Sequence, residues 1–254
     1  MISIKSTTVA GLPLLEIAPS GQEMNLLPTV VFYHGWTSSK ESSLVNGYEL
    51  AKKGYRALLP DAYLHGERKN DDSLTVKETV FWDVVTKSLR ELPGLRDHYV
   101  EAGLSDPDRF GVAGLSMGGI TTCAALTQFP WIKSAVVLMG SPDPVAFSKW
   151  LLSSTWVDGV EVSLDEKAAY IKELAALAPI SLAEHPESIN NRPVHFWHGT
   201  KDELVPYPMT FDFYQHVKNQ SYAKNVSFTT TVGAGHKVPY LISVEMSDFF
   251  LKHL

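Results

Sequence analysis

Cysteine is nearly absent from this chain: Cys123 is the only one in 254 residues. A single thiol excludes an intramolecular disulfide and any metal site built from several cysteines. Its place in an apolar stretch predicts a buried small hydrophobe. Long apolar runs are missing as well. The clearest, Ala135-Val136-Val137-Leu138-Met139, is strand-sized, far short of the ~20 residues needed to span a bilayer, so no membrane partner is expected. The segment Met1–Thr8 alternates instead of forming an apolar block. No signal peptide is therefore expected, and the cytoplasm is the compartment that fits. Charge of one sign is not clustered: the formal net charge is −6, with acids and bases interspersed. Without a basic stripe, nucleic acid is not an expected partner. Internal repeats and low-complexity linkers are lacking too.

Hydrophobic residues make up 44% and charged residues 20%, ordinary values for a globular enzyme. The length suits one large α/β domain, which we take to run over 1–254. A hairpin is expected first, with strands at Ile2–Val9 and Leu14–Ala18 about the turn Ala10–Pro13. After it a short apolar strand, a turn and an amphipathic helix recur. Strands are expected at Thr29–Tyr33, Arg56–Pro60, Arg109–Ala113, Ser134–Met139, Val194–Trp197 and Val226–Val232. One helix should carry Leu44, Tyr48 and Ala51 on one face. A longer one should carry Val76, Val80 and Val84 on one face and be interrupted at Pro93-Gly94. Such alternation implies a mostly parallel sheet with helices on both faces. In such sheets ligands bind beyond the carboxyl ends of the strands.

The positions just after the strands carry the chemistry. Gly114-Leu115-Ser116-Met117-Gly118 lies between an apolar strand and an apolar helix. That context makes Ser116 the candidate nucleophile, on a turn whose flanking glycines leave room for the bend. An alcohol is a poor nucleophile at neutral pH and needs a base to take its proton. His236, in Gly233-Ala234-Gly235-His236, follows the strand at 226–232. Asp202, in Gly199-Thr200-Lys201-Asp202, follows the strand at 194–197 and would orient that imidazole. Glu203 and Asp143 compete for the acid. The oxyanion of a tetrahedral intermediate needs backbone N–H donors. Met117, directly after the serine, and Trp36, in His34-Gly35-Trp36, are the candidates, with His34 bracing the loop. His195 and His198 share a strand at odd spacing, which sends them to opposite faces and argues against a shared metal.

The segment 141–186 breaks the alternation. Phe147, Trp150 and Trp156 make it too apolar for an ordinary loop, and Asp165–Leu177 has helical spacing. We read it as a small helical cap whose aromatics, with Trp36, line a substrate pocket. The alternative is that they pack onto the sheet or a partner subunit. The loop Asp61–Arg68 is read as a scaffold fixed by Asp61 and a salt bridge, more readily than as a substrate contact of His65 or Arg68.

Taken together, these motifs resemble the small bacterial serine carboxylesterases of the α/β-hydrolase superfamily, in the branch related to dienelactone hydrolases and to the catalytic domain of prolyl oligopeptidases. The resemblance rests on Tyr33-His34-Gly35-Trp36, Asp61 with His65-Gly66, Gly114–Gly118, His198-Gly199 with Asp202 and Val205-Pro206, and Gly235-His236. It implies an eight-stranded, mostly parallel sheet and cofactor-free hydrolysis through an acyl-enzyme. The order Ser116, Asp202, His236 is that superfamily's order. Dienelactone hydrolases use a cysteine nucleophile, and this chain has Ser116; it also has nothing that could form the β-propeller of prolyl oligopeptidases. A small carboxylic ester is the expected substrate. Peptide or amide hydrolysis and thioester hydrolysis use the same triad and stay open, and a non-catalytic binding protein on the same fold is the remaining alternative.

Overall fold

The computed structural model describes residues 1–69, 80–151 and 174–254. Eight strands form one sheet: β1 (Ile2–Val9), β2 (Leu12–Pro19), β3 (Leu27–Tyr33), β4 (Arg56–Pro60), β5 (Ser105–Leu115), β6 (Ser134–Leu138), β7 (Val194–Gly199) and β8 (Val226–Thr231). Their order is β1-β2-β4-β3-β5-β6-β7-β8. β1 and β2 pair antiparallel, as do β2 and β4. Every pair from β4 through β3 to β8 is parallel. The sheet is eight-stranded, mixed and mostly parallel, the architecture that the resemblance implies.

Helices α1 (Leu44–Lys52), α2 (Phe81–Glu101), α3 (Met117–Gln128), α4 (Pro144–Leu151), α5 (Tyr207–Val217) and α6 (Tyr240–His253) join or follow the strands. Period-two alternation in the strands divides the core into two layers. Val31 and Tyr33 of β3, Val137 of β6 and Phe196 of β7 pack with Leu89 and Leu92 of α2, Cys123 of α3 and Phe213 of α5. Val30, Phe32, Val136, Leu138 and Trp197 face the other way, against Leu50 of α1 and Ile242, Met246 and Phe250 of α6. Helices on both faces explain why β6 and β7 are buried at every position.

Three local expectations are corrected. Helix α2 runs unbroken through Pro93. A proline forfeits one helical hydrogen bond, but Leu89, Leu92, Leu95 and Tyr99 bury a continuous stripe on the sheet across that point. Helix α1 exposes Tyr48 and turns Gly47, Leu50 and Ala51 inward. The helix sits so close to the sheet that a Cβ at Gly47 would lie 2.6 Å from Ile17 Cδ1. Finally, β5 begins at Ser105 and not at Arg109, its pairing with β3 shifting register between Leu27 and Thr29. Val76, Trp156 and most of the helix expected at Asp165–Leu177 lie outside the described residues. Within the described end of that helix, Ala175–Ile180 is a 3₁₀ turn.

Candidate active site

The strand–turn–helix around Ser116 is built by close backbone approach. Ser116 has φ 55° and ψ −118° between β5 and α3. A Cβ on Gly118 would lie 2.1 Å from the Tyr33 carbonyl oxygen, and one on Gly114 would lie 2.4 Å from the Gly118 backbone. No side chain fits at either position. The turn is tied down by the Ser116 N–H donating to Leu138 O at 2.9 Å. It presents Ser116 Oγ beyond the carboxyl edge of the sheet, at the positive end of α3.

The three predicted side chains meet there. His236 Nε2 is 2.8 Å from Ser116 Oγ, and His236 Nδ1 is 2.7 Å from Asp202 Oδ2. The Asp202 side chain is buried. Its Oδ1 accepts the N–H groups of Leu204 at 3.0 Å and Val205 at 2.9 Å. Its Oδ2 also lies 3.1 Å from His198 Nε2. Burial alone would raise the carboxyl pKa. The hydrogen bonds from His198, His236 and the Val205 amide outweigh it and hold Asp202 well below the usual carboxylate range. The competitors for its place are elsewhere. Glu203 is exposed, and Asp143 Oδ1 accepts the Ala146 N–H at 2.8 Å, which caps α4.

The predicted oxyanion loop runs beside the serine. A Cβ on Gly35 would lie 3.5 Å from Ser116 Cβ. Neither the Trp36 amide nor the Met117 amide donates a hydrogen bond among the described residues. The loop is strapped to the segment after β4 by crossed bonds. The Ala62 N–H donates to His34 Nε2 and the Thr37 N–H to His65 Nε2, both at 3.0 Å. The buried Asp61 accepts from the Lys40 amide at 2.9 Å, the Lys40 ammonium at 2.7 Å and the Glu67 amide at 3.0 Å. Arg68 pairs with both carboxylate oxygens of Glu91 at 2.9 and 2.7 Å. His65 and Arg68 are thus engaged in holding the loop together.

The expected pocket aromatics gather next to Met117. Trp36, Phe147 and Trp150 belong to one apolar cluster with Met117, Ile120 and Val205. Phe147 and Trp150 stack at 5.7 Å. Phe81 and Trp82, which the sequence pattern did not single out, complete it. Phe81 lies 5.3 Å from Trp36 and 6.0 Å from Phe147. Adjacent aromatics at the start of a helix after the β4 loop were the available signal. His198 was missed as well. His195 faces away from it, with Nδ1 2.8 Å from Ser227 Oγ.

Residues 86–253 match the prolyl oligopeptidase family. The chain belongs to the prolyl oligopeptidase family. The matched span of that family takes in Ser116, Asp202 and His236 but not the loop at Trp36. Within the wider similarity, "Putative esterase YitV" of Bacillus subtilis (strain 168) is 38% identical over 257 residues, covering 100% of both chains. Esterase YjfP of Escherichia coli (strain K12) is 30% identical over 258 residues, again covering 100% of both. Among solved structures, TT1662 from Thermus thermophilus superimposes with a TM-score of 0.74 at 20% identity, over 100% of both chains. Membership of the family makes the chain a serine hydrolase, and both full-length relatives carry esterase names. No helix among the described residues is long and apolar enough to cross a membrane.

Proposed function

We propose that this chain is a carboxylesterase acting on small esters, with Ser116 as nucleophile, His236 as general base and acid, and Asp202 as the carboxylate that orients it. The observation that carries the reading is the continuous hydrogen-bonded line from Ser116 Oγ through His236 to Asp202, at 2.8 and 2.7 Å. Ser116 Oγ attacks the ester carbonyl while His236 Nε2 takes its proton. The oxyanion is received by the N–H groups of Trp36 and Met117, each worth on the order of 10²–10³ in rate. Collapse breaks the acyl–oxygen bond, and His236 returns the proton to the departing alcohol. Water then attacks the acyl-enzyme, giving up a proton to His236, and the acid leaves as Ser116 is restored.

The aromatic cluster beside Met117 supports an apolar or aromatic acyl group, with Trp36, Phe147 and Trp150 as wall residues. The esterase names of the two full-length relatives favour esters over amides and thioesters. The test is a panel of aryl esters of increasing acyl length, with aryl amides and thioesters alongside, on wild type and Ser116→Ala. Ester turnover that falls on the order of 10⁶-fold in Ser116→Ala is expected. Retained turnover in that variant removes Ser116 from its role, and faster cleavage of amides or thioesters reassigns the substrate.

A further inference from the structure

Asp202 accepts one hydrogen bond more than the proposed reaction uses. Besides the two amides on Oδ1 and His236 on Oδ2, His198 Nε2 reaches Oδ2 at 3.1 Å. The same nitrogen lies 2.9 Å from Val205 O. Both neighbours of Nε2 are acceptors, so the ring proton sits on Nε2 and is shared between them. His198 Nδ1 is buried without a partner. The ring itself is fully buried in β7, edge-on to Tyr207 at 5.9 Å.

We infer that His198 is a positioning residue for the hydrolysis, one that holds Asp202 Oδ2 on His236 and takes a share of its charge. The inference rests on the assignment of Ser116, His236 and Asp202 proposed above. A carboxylate turns readily about its Cβ–Cγ bond. The amides of Leu204 and Val205 fix Oδ1, and His198 fixes Oδ2, so the oxygen facing His236 stays where the imidazolium forms. Because the His198 proton draws density from Oδ2, it also sets how much of the Asp202 charge reaches His236. The charged neighbours in the same turn, Lys201 and Glu203, are exposed, which among the described residues leaves His198 and His236 as the titratable groups on the carboxylate. A ring that merely filled space against Tyr207 would have no such electrostatic effect.

The experiment measures kcat and KM for para-nitrophenyl acetate across pH with wild type, Ser116→Ala, His198→Phe and His198→Gln. His198→Phe is expected to lose kcat by about ten- to a hundredfold, the scale of one charge-assisted hydrogen bond, with KM nearly unchanged. The acid limb of its profile moves to higher pH, because Oδ2 then gives its whole charge to the His236 imidazolium. His198→Gln, which returns an N–H near the Nε2 position, recovers most of the rate and brings the limb back. A folded His198→Phe with wild-type kcat and an unshifted limb overturns the inference, and so does a His198→Gln as impaired as the phenylalanine variant. Should His198→Phe not fold, His198→Asn takes its place, since its amide reaches only the Nδ1 position. Asparagine must then be the slower of the two amides, and equal rates overturn the inference. Activity surviving in Ser116→Ala defeats the catalytic assignment itself, whereas a silent Ser116→Ala beside an unaffected His198→Phe defeats this inference alone.

Discussion

Replacing His34 by Gln is expected to remove about 3 kcal/mol of acid sensitivity from this fold. His34 is buried, 1% exposed. Its Nε2 accepts the Ala62 N–H, so Nδ1 carries the proton and donates to Gly35 O at 2.8 Å. Protonation of Nε2 would set two donors against each other and place a charge in a buried site. Burial accordingly pushes the imidazole down to about 4, with the Gly35 bond acting in the opposite direction. The fall from 6.5 to about 4, at about 1.36 kcal/mol for each pH unit, amounts to about 3 kcal/mol.

The sign follows from proton counting. Between pH 6.5 and about 4 the unfolded chain binds a proton at His34 that the folded chain refuses, so stability falls as pH falls through that window. Above it the full contribution is present, and below it the loss levels off. Glutamine places an amide oxygen near Nε2 to accept from Ala62 and does not titrate. Guanidinium unfolding of both proteins from pH 8 to pH 4 is the assay. The stability advantage of wild type over His34→Gln must shrink by about 3 kcal/mol across the window. His65 and His195, also pushed down by burial, remain in both proteins and cancel in the difference. Parallel stability curves would refute the reasoning. His65 accepts the Thr37 N–H in the same way and is pushed down by burial too, so acid should loosen the loop that bears Trp36 from both sides and hydrolytic activity should decline with it.

Asp202→Asn is expected to lower kcat by about 10⁴-fold through the wrong imidazole tautomer, while Asp143→Asn, which keeps an oxygen to cap α4, stays within a few-fold of wild type; the reverse order in steady-state assays would move the acid. Gly118→Ala must displace the Tyr33 carbonyl, 2.1 Å from the added Cβ, and should abolish activity and depress Tm; a wild-type Tm would show that the turn tolerates a side chain. Buried Arg192 donates to the carbonyls of Leu126, Phe129, Ile132, Ser188 and Ile189. Arg192→Met strands these acceptors and is expected to cost about 3 kcal/mol in chemical denaturation, and a loss below about 1 kcal/mol would mean that water replaces the guanidinium.

What was legible in the sequence is what local geometry dictates. The demand for glycine at 114 and 118 arises within one turn, and Tyr33 O, against which Gly118 packs, lies on the neighbouring strand. Strand ends could be placed because β5, β7 and β8 are bounded by glycine-bearing turns, and this located Ser116, Asp202 and His236 without any knowledge of distance. The continuity of α2 through Pro93 was not legible. Helix propensity there opposes the outcome, and the burial of Leu89, Leu92, Leu95 and Tyr99 on a sheet assembled from distant residues decides it. The pairing of Phe81 and Trp82 with Phe147 was hidden for the same reason, since it joins α2 to α4 across a long stretch of chain.

His198 exposes the limit of reading strands by face alone. Alternation separates His195 from His198 correctly, but it says nothing of what either ring meets. The chain after Gly199 curls back so that Asp202, at i+4, and the Val205 carbonyl, at i+7, both arrive at His198 Nε2, an encounter made by a turn and not by a helix. The same turn aims the Leu204 and Val205 amides at Asp202 Oδ1. The stretch from His198 to Val205 therefore brings three donors, the His198 ring and the Leu204 and Val205 amides, to a single carboxylate. That convergence, together with the bond to His236, is why Asp202 can stay ionised while buried beside an apolar core.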